Sequence, residues 1–176
     1  KKSITAPMSL VISAFAPVGD IRKTMTPQLR TDQGVTDLLL IDLGHGKDRI
    51  GASALAQVCR ELGCTPPDLD NPLDLKNFFA LIQELNHGSL LLAYHDRSDG
   101  GVFATLAEMA FSGHTGIDIQ IAELLDEGDK DPVRVLFSEE LGAVIQVPRK
   151  QINTVLQIVE QHGLSDCTRQ IGCLNN

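Results

Sequence analysis

Apolar residues along this chain fall alternately into short runs of strand length and longer stretches of helical period. Met8 to Phe15 is apolar over a strand-length window and stops near Pro17, which predicts a strand. Gly19 to Pro27 is too short and polar for a core element and reads as a turn of helix or a loop. Asp37 to Leu43 predicts a second, mostly buried strand, halted by Gly44-His45-Gly46. From Ala52 to Leu62, the residues Leu55, Val58, Cys59 and Leu62 recur at helical spacing, with Ser53 as cap and Gly63 as stop. A proline-rich loop, Cys64 to Pro72, leads to a helix over Leu73 to Leu85 that gathers Phe78, Leu81, Ile82 and Leu85 on one face.

Past Gly88 the chain predicts a strand at Leu90 to Tyr94, then a helix at Val102 to Phe111 with Phe103, Leu106 and Ala110 inward and Glu108 outward. Gly116 to Ile121 alternates cleanly and suits a half-exposed strand, and Asp126 to Pro132 is a charged loop. Val133 to Phe137 and Ala143 to Val147 read as strands around Ser138-Glu139-Glu140-Leu141-Gly142. Pro148 opens a helix that runs through Gln161 and stops by Gly163, and Cys167 to Cys173 is a last strand. Strands alternating with helices predict an α/β (α+β) sandwich, a mixed β-sheet covered by helices.

Composition narrows the class without naming a function. With 176 residues, 43% of them apolar and 22% charged, residues 1–176 fit one domain that buries a sizeable core. No apolar run approaches the roughly 20 residues of a membrane span, so no membrane partner is expected. The start has neither an initiator Met nor a signal peptide and reads as a piece excised from a much longer multidomain chain. A net charge of -8 argues against nucleic-acid binding, which needs a basic face. Cys59, Cys64, Cys167 and Cys173 fit neither a CxxC nor a zinc-finger spacing and read as reduced thiols of a cytoplasmic protein.

The chemistry concentrates in Leu90 to Val102, where an apolar run ends in His95-Asp96-Arg97-Ser98-Asp99 followed by Gly100-Gly101. A strand end, a glycine turn and a helix start would present backbone N–H groups that favour phosphate. The Asp96 carboxylate offers the hard oxygen that magnesium takes, or else it caps the helix near Gly101. Ser98 is expected on phosphate and Asp99 as the structural cap. His95 reads as a hydrogen-bonded structural histidine, while Arg97 could meet phosphate or pair with Glu139 or Glu140. Gly44 to Lys47 followed by Ile50 to Ser53 lacks Walker spacing and reads as a strand–loop–helix junction. Glu139 and Glu140 are adjacent, so on a strand they point to opposite faces and do not form an acid–base pair.

Several segments, in this order, carry a resemblance. Ala6 to Phe15, Leu38 to Gly44 running into Ile50 to Gln57, His95-Asp96-Arg97-Ser98-Asp99-Gly100-Gly101, and Ser138 to Gln146 resemble phosphoribosylformylglycinamidine synthase in its large bacterial form. The likeness covers nearly the whole chain and is to the second of two C-terminal domains of the aminoimidazole ribonucleotide synthetase type. It implies a share in converting formylglycinamide ribonucleotide, ATP, glutamine and water to formylglycinamidine ribonucleotide, ADP, phosphate and glutamate. By the same resemblance Asp96 is a magnesium ligand and Ser98 contacts the nucleotide, ATP or ADP. The other ligands come from a neighbouring ATP-binding domain, and ammonia comes from a glutaminase domain of the same chain. The site resembles an auxiliary one, in which ADP with Mg2+ is retained structurally. No residue of this segment is assigned a catalytic role, and the family's closing hairpin after Gly172 is not expected. Alternatives are a scaffold half holding a non-catalytic nucleotide, or a domain of a related selenophosphate synthetase or thiamine-monophosphate kinase.

Overall fold

The run Thr36-Asp37-Leu38-Leu39-Leu40-Ile41-Asp42 is apolar on successive residues, so a strand made from it must bury both faces. In the computed structural model, which describes residues 2–3, 11–125 and 131–175, this run is the central strand β1, Thr36–Asp42. Leu38 and Leu40 face one hydrophobic cluster, Leu39 and Ile41 the other, and all four are essentially inaccessible. Burying each contributes roughly 1.5–3 kcal/mol.

The remaining elements, in chain order, are α1 (Ala54–Val58), α2 (Pro72–His87), β2 (Ala93–Asp96), α3 (Gly101–Gly113), β3 (Gly116–Ile119), α4 (Pro132–Phe137), β4 (Gly142–Pro148), α5 (Ile152–Gln161) and β5 (Thr168–Asn175). The sheet order is β2-β4-β1-β5-β3. Leu39 lies opposite Ile145 of β4 and Gln170 of β5, Asp96 opposite Ala143, and Ile117 opposite Leu174. One face packs on α2 and α5 through Leu81, Leu85, Val155 and Val159. The other packs on α3 and α4 through Val102, Leu106, Met109 and Val135. A helix layer therefore covers each face, as the sandwich reading expects.

Several sequence expectations are corrected. Every pairing in the sheet is antiparallel, so it is not mixed. Val133 to Phe137 is a helix rather than a strand, because Asp131 caps it (Val133 N to Oδ1, 2.9 Å) and Pro132 stands at its first turn. The Ser53 cap is correct, but α1 lasts only to Val58, and Val58 and Leu62 are 82% and 74% exposed. The chain turns back there instead, with Ala52 N donating to Leu62 O and Gly51 N to Thr65 O.

The strand expected at Leu90 to Tyr94 is β2, Ala93–Asp96, which brings Asp96 to its last position. Phe103 is half exposed, because the buried face of α3 is Val102, Thr105, Leu106 and Met109. Pro148 ends β4, and a 3-10 turn separates it from α5. Residues 11–15 form no regular structure and are exposed, while Met8 to Leu10 and residues 126–130 of the charged loop lie outside the described residues.

Candidate functional site

β2 pairs with β4 up to Asp96, and the next backbone bond, Arg97 N to Gly142 O at 2.9 Å, carries the chain off the sheet. Ser98 to Gly101 then makes the turn into α3, closed by Gly101 N donating to Ser98 O at 2.9 Å. Gly101 sits at φ 67, and a Cβ there would lie 2.6 Å from Ser138 O and 2.7 Å from Leu136 O. Only glycine lets the turn pass this close to the end of α4.

The turn leaves Asp96, Ser98 and Asp99 exposed together. The Asp96 side chain is 67% accessible, with one oxygen 3.4 Å from His95 Nδ1. His95 Nε2 meets Glu108 Oε2 at 2.6 Å, so the imidazole is the hydrogen-bonded histidine expected, held between two carboxylates. Asp96 does not cap α3; its backbone carbonyl accepts from Thr105 Oγ1 at 3.3 Å instead. Nor does Asp99: the N-cap is Gly100, with no side-chain cap bond.

The helix start is served from a distant part of the chain. Glu139 Oε1 accepts from Gly100 N at 2.9 Å and from Ala54 N at 2.8 Å. One carboxylate thus ties the beginnings of α3 and α1 together and fills the place at Gly100 N that an outside anion would take. Nothing local in the sequence marks this contact, which spans 39 residues to one partner and 85 to the other.

Its neighbour serves a different site. Glu140 is fully buried and receives Arg49 through N (2.9 Å), Nε (2.7 Å) and Nη2 (2.7 Å). That hydrogen-bonded pairing raises the Arg49 guanidinium further above its ordinary value, against the opposing effect of burial. The two glutamates serve different sites, though not through strand alternation, because both lie between the end of α4 and the start of β4.

Arg97 settles into neither of its open alternatives. Its side chain is buried, with Nη2 on an Asp42 carboxylate oxygen and on Leu141 O, and Nε on the backbone carbonyl of Glu140. Asp42 also accepts from Gly44 N (3.0 Å) and Gly46 N (2.7 Å), so the Gly44-His45-Gly46 loop wraps a protein carboxylate. Burial pushes the Asp42 carboxyl up, but the charge and hydrogen bond of Arg97 and the two amides outweigh it and hold it below its ordinary value. A cavity of about 230 Å³ lies on this side, lined by Asp42, His45, Arg97, Val135, Cys167 and Arg169 among others; neither Asp96 nor Ser98 lines it.

Among the described residues, no group of three or more His, Cys, Asp or Glu side chains is placed to hold a metal. The exposed Asp96 carboxylate has the chemistry that magnesium takes, since this ion binds one or two carboxylates and completes its shell with water and phosphate. Among the same residues no helix is long and apolar enough to cross a membrane.

Comparison with known proteins places the fold. The family described as AIR synthase related protein, C-terminal domain, matches residues 38–175. PurLQS from Thermotoga maritima is similar in structure with a TM-score of 0.66 at 16% identity, over 89% of this chain and 24% of that one. T. maritima PurL complexed with ATP gives 0.65 at 15% identity, over 88% and 23%. E. coli HypE, a hydrogenase maturation protein, gives 0.59 at 25% identity, over 86% and 46%. The chain thus spans about a quarter of the PurL chains and under half of HypE.

Proposed function

The chain belongs to the AIR synthase related family, as its C-terminal domain, and from that premise we propose that it is one domain of a longer phosphoribosylformylglycinamidine synthase, contributing Asp96 and Ser98 to a magnesium–nucleotide site. The observation that carries this reading is the single exposed turn that presents both residues between the end of β2 and the start of α3. The ordered segments from Leu38 to Gln57 and Ser138 to Gln146 support the synthase over other members, and the likeness to HypE marks how broad the family is.

On this reading the Asp96 carboxylate supplies one oxygen to the cation, and the Ser98 hydroxyl donates to a phosphate oxygen. Bound magnesium would neutralise charge on the polyphosphate. His95 orients the Asp96 carboxylate from its Nδ1 side while Glu108 holds the other ring nitrogen. Glu139 fixes the turn by its bond to Gly100 N, so the phosphate falls to Ser98 rather than to that amide. The remaining ligands belong to a neighbouring ATP-binding domain, and ammonia to a glutaminase domain.

A second reading, in which this half holds a retained, non-catalytic nucleotide, is favoured by the same filled amide. Asp96→Asn in the full-length protein separates the two. Loss of turnover together with nucleotide affinity supports a working site, whereas full turnover with lost nucleotide retention and lower stability supports the scaffold. If nucleotide affinity is unchanged, Asp96 is no ligand and both readings of this turn fail.

A further inference from the structure

The polypeptide before β1 changes character at about residue 24. From there on it is tied to the domain: Tyr94 N donates to Thr26 O at 3.0 Å, Gln146 brackets the Arg30 backbone at 2.8 and 2.9 Å, Met25 packs on the core and Leu29 is 2% exposed. A last tether holds Lys23 to the end of α2, through Asn86 Nδ2 on its carbonyl at 2.9 Å. Before that point every large apolar side chain described is in solvent, Val11 at 91%, Ile12 at 77%, Phe15 at 95% and Val18 at 71%.

The residues concerned are strand formers, and their order matters. In an extended chain Val11, Ser13 and Phe15 would line one face and Ile12, Ala14 and Ala16 the other. Both faces are mainly apolar, which suits a strand covered on both sides, not a solvent-facing edge. Pro17 then closes the run, as proline does at a strand end. The segment joins neither edge of this chain's own sheet: at the β2 edge Tyr94 N already donates to Thr26 O, and the other edge strand, β3, is only four residues long.

We propose that residues 11–16 form an interior strand in the sheet of a neighbouring domain of the longer protein, joining the two by backbone hydrogen bonds and two apolar faces. The family match, to a C-terminal domain, begins only at residue 38, so this segment lies on the side where another domain of such a protein precedes. A second copy of the chain is a poor occupant, because two lone segments cannot cover each other on both faces. The proposal stands apart from the nucleotide reading and needs neither Asp96 nor Ser98.

Hydrogen exchange tests it in the full-length protein. The amides of residues 11–16 are expected to exchange at least about 100-fold more slowly there than in the 176-residue chain. Phe15→Asp in the full-length protein should speed their exchange while β1 stays protected. Equal exchange of the segment in the two wild-type proteins overturns the proposal even if the variant fails to fold. Protection that appears in the isolated chain as its concentration rises overturns it too, by making a second copy the occupant.

Discussion

Asp42 is the residue whose surroundings matter most beyond the turn, because it joins the buried Arg97 to the Gly44-His45-Gly46 loop. Its carboxyl is held below the ordinary 3.8, since Arg97 and the amides outweigh burial. Between that value and the lower one of the folded state, the unfolded chain holds more protons, so stability is full above about pH 4 and falls as pH drops through the folded value. Asp42→Asn should therefore flatten the acid limb of a urea midpoint profile as pH falls from about 4 through the folded value. The same variant should be less stable at pH 7, because Arg97 keeps its charge without its carboxylate. A variant whose acid limb matched the wild type would show that Asp42 carries none of that dependence. The glutamates show what residue-level reading misses: no local pattern says that Glu139 ties the starts of α3 and α1 together while Glu140 buries an ion pair with Arg49.

Elements were legible where burial and period agree. β1 is readable because its run is apolar on both faces, and α2 because Leu81 and Leu85, with Phe78 and Ile82 beside them, recur at helical spacing on one side. α4 was not, since Val133 and Val135 favour strand locally and the outcome was decided by the Asp131-Pro132 start. Residues 11–15 read as a strand and are not one here, which follows if the sheet they need is elsewhere. The turn into α3 depends on glycine in a way the sequence states but does not explain until Ser138 and Leu136 are seen against it. Gly101→Ala forces a left-handed alanine into backbone oxygens and should cost about 2 kcal/mol or more of stability. Denaturant unfolding of the 176-residue chain measures this, and a loss within about 0.5 kcal/mol would show that the turn relaxes freely.

At the scale of the whole molecule, an antiparallel sheet between two helix layers places its candidate chemistry at one exposed turn, with the carboxylates of Asp96 and Asp99 and the Ser98 hydroxyl. A nucleotide with magnesium needs more donors than that, and a C-terminal domain spanning a quarter of the PurL chains leaves room for them in other domains. The family was legible because its motifs are long and ordered. The partition proposed for the site was not, because ligands supplied by another domain would leave no trace in the spacing of this one.

The most direct measurement is a structure of the full-length protein with ADP and magnesium bound. The account predicts an Asp96 oxygen at about 2.1 Å from the cation and Ser98 Oγ at hydrogen-bond distance, about 2.5–3.0 Å, from a phosphate oxygen. A cation ligated wholly by other residues, with Asp96 turned to solvent, would contradict it.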